Sequence, residues 1–184
     1  MTLHIRNMVC PRCIRAVRGV LEQAGLEVRS VRLGEAEIVG DLSAERKSRL
    51  SDALRELGFE LLEDRRAQLI EGIKNCIVEL VRSPQVLPDA NLSGYLSAKL
   101  GLDYRYLSTL FSQTEGRTVE KYFIAQKIER AKELLVYDEL TLGEIAFRLG
   151  YSSVAHLSGQ FKRTTGLTPS LFKRDKRRRS LDEV

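Results

Sequence analysis

Apolar residues between positions 142 and 172 recur at the three-to-four-residue spacing of amphipathic helices. They predict two short helices, the first carrying Ile145, Ala146 and Leu149 and the second carrying Leu157 and Phe161. Gly150 is placed to end the first helix in a left-handed conformation, and Ser152 or Ser153 is placed to cap the second. Two short helices joined by a tight glycine-containing turn form a helix-turn-helix, which offers its second helix to the major groove of DNA.

The same pattern occurs a second time, fifty positions earlier in the chain. The recurring residues are Leu107, Ser108, Phe111, Thr114, Gly116, Thr118 and Tyr122, which return as Leu157, Ser158, Phe161, Thr164, Gly166, Thr168 and Phe172. In each copy the glycine is expected to end the recognition helix and the threonine to cap the next helix. Because glycines and threonines coincide along with apolar residues, two copies of one structural unit are predicted.

Residues 119–137 between the two copies predict one long helix. At about 1.5 Å per residue this helix is roughly 28 Å long, close to the 34–36 Å that separates successive major-groove faces on one side of B-DNA. A single chain is therefore expected to place both recognition helices in adjacent grooves.

Residues 69–175 resemble the DNA-binding domain of the AraC/XylS family of bacterial transcription regulators, most specifically in the segment GYSSVAHLSGQFKRTTGLTPSLF. The resemblance implies an all-α domain of about seven helices, assigned here to residues 66–175, in which a long helix joins two helix-turn-helix units. It also implies a double-stranded DNA operator as partner, and RNA polymerase as a second partner if the protein is an activator.

The resemblance places the base-reading side chains on the outer faces of the two recognition helices. The predicted DNA-binding residues are Tyr104, Arg105, Ser108, Thr109 and Ser112, followed by Val154, Ala155, His156, Ser158, Gly159, Lys162 and Arg163. Arg105 is expected to bind guanine in bidentate fashion, whereas Val154 and Ala155 are expected to touch thymine methyl groups. His156 is interpreted either as a packed or phosphate-facing residue or as a base reader. Many family members have arginine or glutamine at the positions of Thr109 and Gly159, so few direct contacts between side chains and bases are expected.

Residues 1–65 alternate apolar and polar positions in short runs separated by two helical segments. Their order, β-α-β-β-α-β, predicts a ferredoxin-like domain, so the chain as a whole is expected to be α+β. The segment resembles the heavy-metal-associated domains of copper chaperones and metal-pumping ATPases in element order, in length and in a Met-x-Cys-x-x-Cys loop before the first helix. Asn7 stands where those domains usually have glycine, which is expected to stiffen the loop.

Cys10 and Cys13 straddle the predicted start of the first helix, so that two sulfur atoms can converge on one ion. The helix N-terminus lowers thiol pKa values and favours the thiolate, which is the form that binds metal. Two thiolates suit Cu(I), whereas Zn(II) normally needs four ligands, which His4 or a second protomer would have to complete. Thiol redox switching and a domain without ligand are the other interpretations. Met8 and Cys76 are expected to be packing residues.

Composition changes this picture little. The formal net charge is +5, and six cations lie in the segment 173–179, without which the helical half is close to neutral. Residues 176–184 are expected to be a disordered basic tail that either contacts phosphates or is merely solvated.

The chain shows neither a signal peptide nor a membrane-spanning run, so a cytoplasmic location is expected. Two histidines in different domains and no phosphate-binding loop argue against an enzyme.

The sequence therefore predicts an AraC-type, sequence-specific transcription regulator that binds two adjacent major-groove segments. Cu(I) or Zn(II) at Cys10 and Cys13, or the redox state of these thiols, is expected to modulate it, and no cofactor is required for DNA binding. A homodimer is compatible with this interpretation. The alternative is a copper or zinc chaperone, or a thiol-redox protein, whose helical half serves protein contacts.

Overall fold

The computed structural model describes residues 1–83 and 92–182, and side chains up to residue 175. The loop predicted around Pro84 and Pro88 lies outside the described residues. The chain separates into two compact units, one formed by Met1–Cys76 with Leu100–Leu110 and the other by Ile77–Lys99 with Phe111–Val184.

Six elements in the first unit follow in the order predicted. They are β1 (Thr2–Arg6), α1 (Pro11–Gln23), β2 (Val28–Arg32), β3 (Glu35–Ile38), α2 (Ala44–Glu56) and β4 (Glu60–Leu62). The strands of this described segment form one sheet in the order β2-β3-β1-β4, and every neighbouring pair is antiparallel. Leu3 lies opposite Ala36 and Ile5 opposite Leu61.

Alternation along the strands separates a core face from a charged face. Leu3 and Ile5 of β1 are buried in the same core as apolar residues of α1 and α2, among them Leu21 and Leu50. The intervening residue Arg6 instead pairs with a glutamate of β4. This period of two is the pattern from which the strands were predicted.

Seven helices follow β4 in the described residues. They are α3 (Arg65–Arg82), α4 (Leu92–Leu100), α5 (Tyr104–Glu115), α6 (Val119–Tyr137), α7 (Leu142–Arg148), α8 (Val154–Thr165) and α9 (Pro169–Asp182). The chain thus has the predicted α+β composition. α6 has the predicted bounds, and α8 and α9 begin fifty residues after α5 and α6, as the sequence repeat requires. α9 extends to Asp182, into the segment that was predicted to be a disordered tail.

Helix ends in the second unit are specified by local side chains. The Thr118 hydroxyl accepts a hydrogen bond from the backbone N–H of Lys121 at the start of α6. Thr141 and Glu144 form a reciprocal capping box at the start of α7. Gly166 ends α8 at φ 79°, a conformation that favours glycine. These caps fix where the recognition elements begin and end.

Two predicted faces need correction. Helical periodicity in the sequence predicts Leu50, Ala53, Leu54 and Leu57 on the inner face of α2. Leu57 instead lies one residue beyond that helix and is 54% exposed. The same helical periodicity predicts an apolar stripe of α3 formed by Leu69, Ile73, Cys76, Ile77 and Leu80. Its buried apolar residues are instead Ile70, Ile73, Ile77, Val78 and Val81, and Cys76 is half-buried. The stripe is rotated because a helix covered on more than one side buries a wider arc than a single-period pattern predicts.

Within the described residues, no helix is long and apolar enough to cross a membrane.

Candidate nucleic-acid interface and thiol loop

The recognition helix α8 is held by its inner apolar residues. Leu157 and Phe161 are fully buried, and the Phe161 ring meets Phe172 of α9 edge to face with centroids 5.5 Å apart. α8 also packs on α6 and α7. The Ser153 hydroxyl caps α8 by accepting a hydrogen bond from the backbone N–H of His156 at 3.0 Å. The sequence allowed either Ser152 or Ser153 as the N-cap residue, and the structure shows Ser153.

Anchoring of this inner face turns the predicted base-reading side chains outward. The exposed members are Val154, Ala155, His156, Lys162 and Arg163, whereas Ser158 and Gly159 are half-buried. The face therefore presents small and apolar groups near its N-terminal end and two cations in its last turn. Cations at a helix C-terminus also interact favourably with the helix dipole.

Gly159 lies on this outer face in ordinary helical conformation. Among the described residues, no heavy atom lies within 4 Å of the position that a Cβ would occupy there. The structure therefore gives no steric reason for glycine at this position of α8.

Tyr151, in the turn before α8, contacts both α6 and His156 of α8, an arrangement that the sequence did not predict. The Lys127 ammonium of α6 lies 3.9 Å from the centroid of the Tyr151 ring, and this ring meets His156 edge to face at 5.1 Å. Burial raises the pKa of the Tyr151 phenol to about 12. Nδ1 of His156 lies 3.1 Å from the Ser152 hydroxyl, so the exposed imidazole is oriented by both neighbours of the turn. The sequence did not indicate the contact between Lys127 and Tyr151, because lysine is expected to be a polar, solvent-exposed residue.

The first recognition helix, α5, follows the same plan. Leu107 and Phe111 are fully buried, whereas Arg105 and Thr109 are exposed. Tyr104, Ser108 and Ser112, also predicted to face outward, are half-buried. The hydroxyl of Ser108 donates to the Arg105 carbonyl at 3.2 Å, within the helix.

Two further residues shape the start of α5. The Asp103 carboxylate accepts hydrogen bonds from the backbone N–H groups of Arg105, at 2.9 Å, and of Tyr106. Tyr106 is 49% exposed and was not predicted as an interface residue. Its signal was present in the sequence, because in the fifty-residue repeat Tyr106 corresponds to His156, an exposed residue of α8 that was among the predicted DNA-binding residues.

The loop between β1 and α1 brings the two predicted metal ligands together. The sulfur atoms of Cys10 and Cys13 lie 3.4 Å apart, and both thiols are free. Hydrogen bonding with Cys13, through its backbone first and its side chain second, lowers the pKa of the Cys10 thiol. Met8 is fully buried, which confirms it as a packing residue.

Asn7 occupies the left-handed region at φ 73°. Asparagine tolerates this conformation better than most residues with a side chain, so it can stand where glycine is usual. Its backbone N–H donates to Glu71 at 3.1 Å, and its side-chain amide donates to the Gly58 carbonyl at 3.0 Å. These two hydrogen bonds hold the residue that leads into the thiol loop.

The chemistry of the loop fits a soft ion of low coordination number. Two converging thiols, one with a lowered pKa, supply the two sulfur ligands that Cu(I) accepts. Among the described residues, no group of three or more histidine, cysteine, aspartate or glutamate side chains could hold a metal. His4 lies in β1, where its Nδ1 is 3.7 Å from the Glu35 carboxylate. The described residues of the loop therefore supply two sulfur ligands, fewer than the four that zinc normally takes.

Comparison with known proteins identifies the helical segment. The family described as "Helix-turn-helix domain" matches residues 96–175. The transcriptional regulatory protein YesN of Bacillus subtilis (strain 168) is 28% identical over 167 residues, which cover 86% of this chain and 45% of YesN. The transcriptional activator RhaR of Cronobacter sakazakii is 36% identical over 69 residues, which cover 38% of this chain and 24% of RhaR. The chain thus spans less than half the length of either relative.

A solved structure supports the same assignment. The C-terminal domain of AraT, a response regulator from Geobacillus stearothermophilus, superposes with a TM-score of 0.50 at 26% identity, covering 61% of this chain and 88% of that domain. The prediction that the chain is not an enzyme agrees with this family, whose named relatives are transcription regulators. Residues 96–175 therefore match a helix-turn-helix domain family, and the relatives of this chain are named as transcription regulators.

Proposed function

We propose that this protein is a sequence-specific transcription regulator that inserts α5 and α8 into adjacent major-groove segments of a double-stranded DNA operator. The observation that carries the proposal is the repeat itself. Each helix buries the same leucine and phenylalanine pair, Leu107 with Phe111 and Leu157 with Phe161, and keeps its opposite face accessible. A fixed inner face with a variable outer face is what two copies of a groove-reading unit require.

The two helices divide the readout unequally. Arg105 carries the strongest base contact, because an exposed guanidinium can bind the O6 and N7 atoms of guanine. On α8, Val154 and Ala155 contact thymine methyl groups, and Lys162 and Arg163 contact phosphates. Readout by α8 thus depends on position along the DNA backbone and on DNA shape as well as on base edges.

Selection from a random duplex pool at moderate salt tests this function. The bound pool should converge on a site with two conserved segments about one helical turn apart. Arg105→Ala should weaken binding to the selected site by about five-fold or more, since a bidentate pair contributes about 1–3 kcal/mol. Arg29→Ala, which changes an exposed arginine of the first unit, is the matched control. A pool that does not converge would contradict the proposal.

For residues 1–65 we propose a ferredoxin-like domain related to heavy-metal-associated domains, with residues 66–175 as the AraC-type domain and 176–184 as a basic tail. The strand order β2-β3-β1-β4 and the β-α-β-β-α-β element order support this assignment. The Cys10 and Cys13 sulfur atoms would hold a soft or borderline metal ion, and Cu(I) fits better than Zn(II). When bound, the ion would neutralise the thiolates at the N-terminus of α1.

Metal or thiol state at this loop is proposed to modulate operator affinity in a cytoplasmic setting. The selected operator should therefore bind wild-type protein with different affinity in the presence and absence of buffered Cu(I) or Zn(II). The double variant Cys10→Ser/Cys13→Ser should show one affinity under all conditions. Equal operator affinities for both proteins, with and without metal, would contradict regulation at the thiols but would not contradict DNA binding.

The alternative proposal is a metal chaperone or thiol-redox protein whose helical half binds protein. The close approach of the two sulfur atoms favours it as much as it favours regulation. Mobility-shift assays separate the two proposals, because a chaperone would bind metal without selecting DNA. RNA polymerase contact and homodimerisation belong to the regulator proposal, and each is tested by co-elution with the operator complex.

A further inference from the structure

A buried carboxylate of α3 lies against the residue that leads into the thiol loop. Glu71 is 6% exposed, and its Oε1 accepts the backbone N–H of Asn7 at 3.1 Å. The two residues are 64 positions apart in sequence, so this is a tertiary contact and not a local turn. Burying a carboxylate costs folding free energy unless the carboxylate is hydrogen-bonded. The hydrogen bond from Asn7 therefore helps to stabilise Glu71 in its buried position.

Glu71 is one of three polar residues that follow one side of α3. The Gln68 side chain donates to the Leu62 carbonyl at 3.0 Å, at the end of β4. The Asn75 amide lies close to Gly34, in the turn between β2 and β3, where a Cβ would be 1.9 Å from its Nδ2. The spacing of Gln68, Glu71 and Asn75 matches one helical face. α3 is therefore attached to the N-terminal unit through polar contacts at β4, the thiol loop and the β2–β3 turn.

The other end of the same helix is attached to the long helix of the DNA-binding half. Arg82, the last residue of α3, donates to Glu133 of α6 at 3.0 Å, and Glu133 also accepts from Arg130 at 2.7 Å. α6 packs on both α7 and α8. α3 is one continuous helix of 18 residues that carries both sets of contacts, and secondary elements of this kind are among the routes by which coupling between sites is carried.

We propose that Glu71 is a positioning residue that holds the Cys10–Cys13 loop through Asn7 and transmits the state of the thiols along α3 to α6. This inference rests on the proposed thiol regulation. Binding of an ion changes the distance and charge of the two sulfurs, which lie three and six residues beyond Asn7. Asn7, in the left-handed conformation, joins β1 to the loop, and its backbone N–H donates to Glu71, so a movement of the loop acts on this hydrogen bond.

Three variants separate this role from a structural one. Glu71→Gln keeps an oxygen that can accept the Asn7 N–H, whereas Glu71→Leu removes the acceptor at similar volume. Glu79→Leu removes an exposed carboxylate from the same helix and is the matched control. The measured quantity is the ratio of operator dissociation constants without and with one equivalent of buffered Cu(I).

Wild-type, Glu71→Gln and Glu79→Leu proteins should each show a ratio that differs from one by at least about five-fold, the lower range of allosteric coupling. Glu71→Leu should give a ratio within two-fold of one, while its Cu(I) affinity stays at the wild-type value. A five-fold ratio that persists in Glu71→Leu would overturn the role of Glu71 and leave thiol regulation standing. A wild-type ratio of one would overturn regulation by the metal itself, and this inference with it.

A measurement on the wild-type protein covers the case in which Glu71→Leu does not fold. Hydrogen exchange of the Asn7 amide, followed by NMR, should be slow in the metal-free protein and should change at least five-fold on addition of Cu(I) or of operator DNA. The operator effect follows from the reciprocity of coupled sites. An Asn7 amide whose exchange rate responds to neither addition would overturn the proposal.

Discussion

Tyr151 contacts His156 of the second recognition helix and Lys127 contacts Tyr151, although neither Tyr151 nor Lys127 belongs to that helix. The inner leucine and phenylalanine of α8 were predictable because they repeat at helical spacing. The Tyr151–Lys127 contact was not, since it joins a turn to a helix distant in sequence and uses a side chain counted as polar. The left-handed conformation of Asn7 was not predicted, because the sequence alone does not show which residue enters that region.

The hydroxyl of Tyr151 is buried and has no hydrogen-bond partner among the described residues. Tyr151→Phe keeps the ring that faces Lys127 and removes an unsatisfied polar group. The free energy of unfolding should therefore stay equal or rise by about 1 kcal/mol. Chemical denaturation measures this change, and Tyr151→Leu, which also removes the aromatic ring, should be destabilised. Loss of stability in Tyr151→Phe would show that the hydroxyl is hydrogen-bonded.

Gly159 is the outer-face residue with open space around its Cβ position in the described structure. Gly159→Ala should raise the free energy of unfolding by about 1 kcal/mol, because glycine is that much less favourable than alanine inside a helix. Gly166→Ala is the matched control and should lower stability, since Gly166 has φ 79°. A drop in operator affinity for Gly159→Ala without a drop in stability would indicate that the DNA backbone approaches α8 at this position.

The Cys10 thiol is expected to titrate below its ordinary value of 9.0, because hydrogen bonds from Cys13 stabilise the thiolate. The pH dependence of iodoacetamide alkylation in Cys13→Ala/Cys76→Ala protein measures this pKa directly. The midpoint should remain below 9.0, since the backbone donor survives. The folded pKa lies below the unfolded one, so stability should rise with pH between the two values. A midpoint at or above 9.0 would contradict the hydrogen-bonded geometry.

At the scale of elements, the caps and glycine stops were the best predicted features. α6 has the bounds expected from the sequence, because Thr118 caps its start with its hydroxyl and the chain leaves the helix at the left-handed Asp138. The face of α3 was predicted less well. Its apolar stripe lies one position off, and its polar residues Glu71 and Asn75 are buried. Periodicity locates an amphipathic helix, but it cannot show that polar residues are buried by long-range contacts.

Gly34 tests the polar contact between α3 and the β2–β3 turn. Gly34→Ala and Gly40→Ala both place a side chain at positive φ, 79° and 76° respectively, so both should lower stability by about 1 kcal/mol. Gly34→Ala should lower it further, because its Cβ would lie 1.9 Å from Asn75, whereas Gly40 has no described atom within 4 Å. Adding Asn75→Ala should remove this extra loss. Equal losses for the two glycine variants would contradict the close approach.

At the scale of the whole molecule, a repeat of fifty residues places two equivalent recognition helices in one chain. The domain class and the buried faces of the two helices could be predicted because both copies preserve inner apolar residues and glycine stops. Operator sequence could not be predicted, since it depends on outer-face residues that differ between the copies. A monomer with two such helices should read two DNA segments independently.

The most direct test compares the sequence preferences of two variants, each altered in one recognition helix. Arg105→Ala on α5 should relax base preference in one segment of the selected operator. Val154→Ala on α8 should relax it in a second segment about 10 base pairs away, the distance between successive major-groove faces. Two separate segments, each affected by one variant, would match the predicted division of labour between α5 and α8. Both variants affecting the same segment, or neither affecting any, would contradict it.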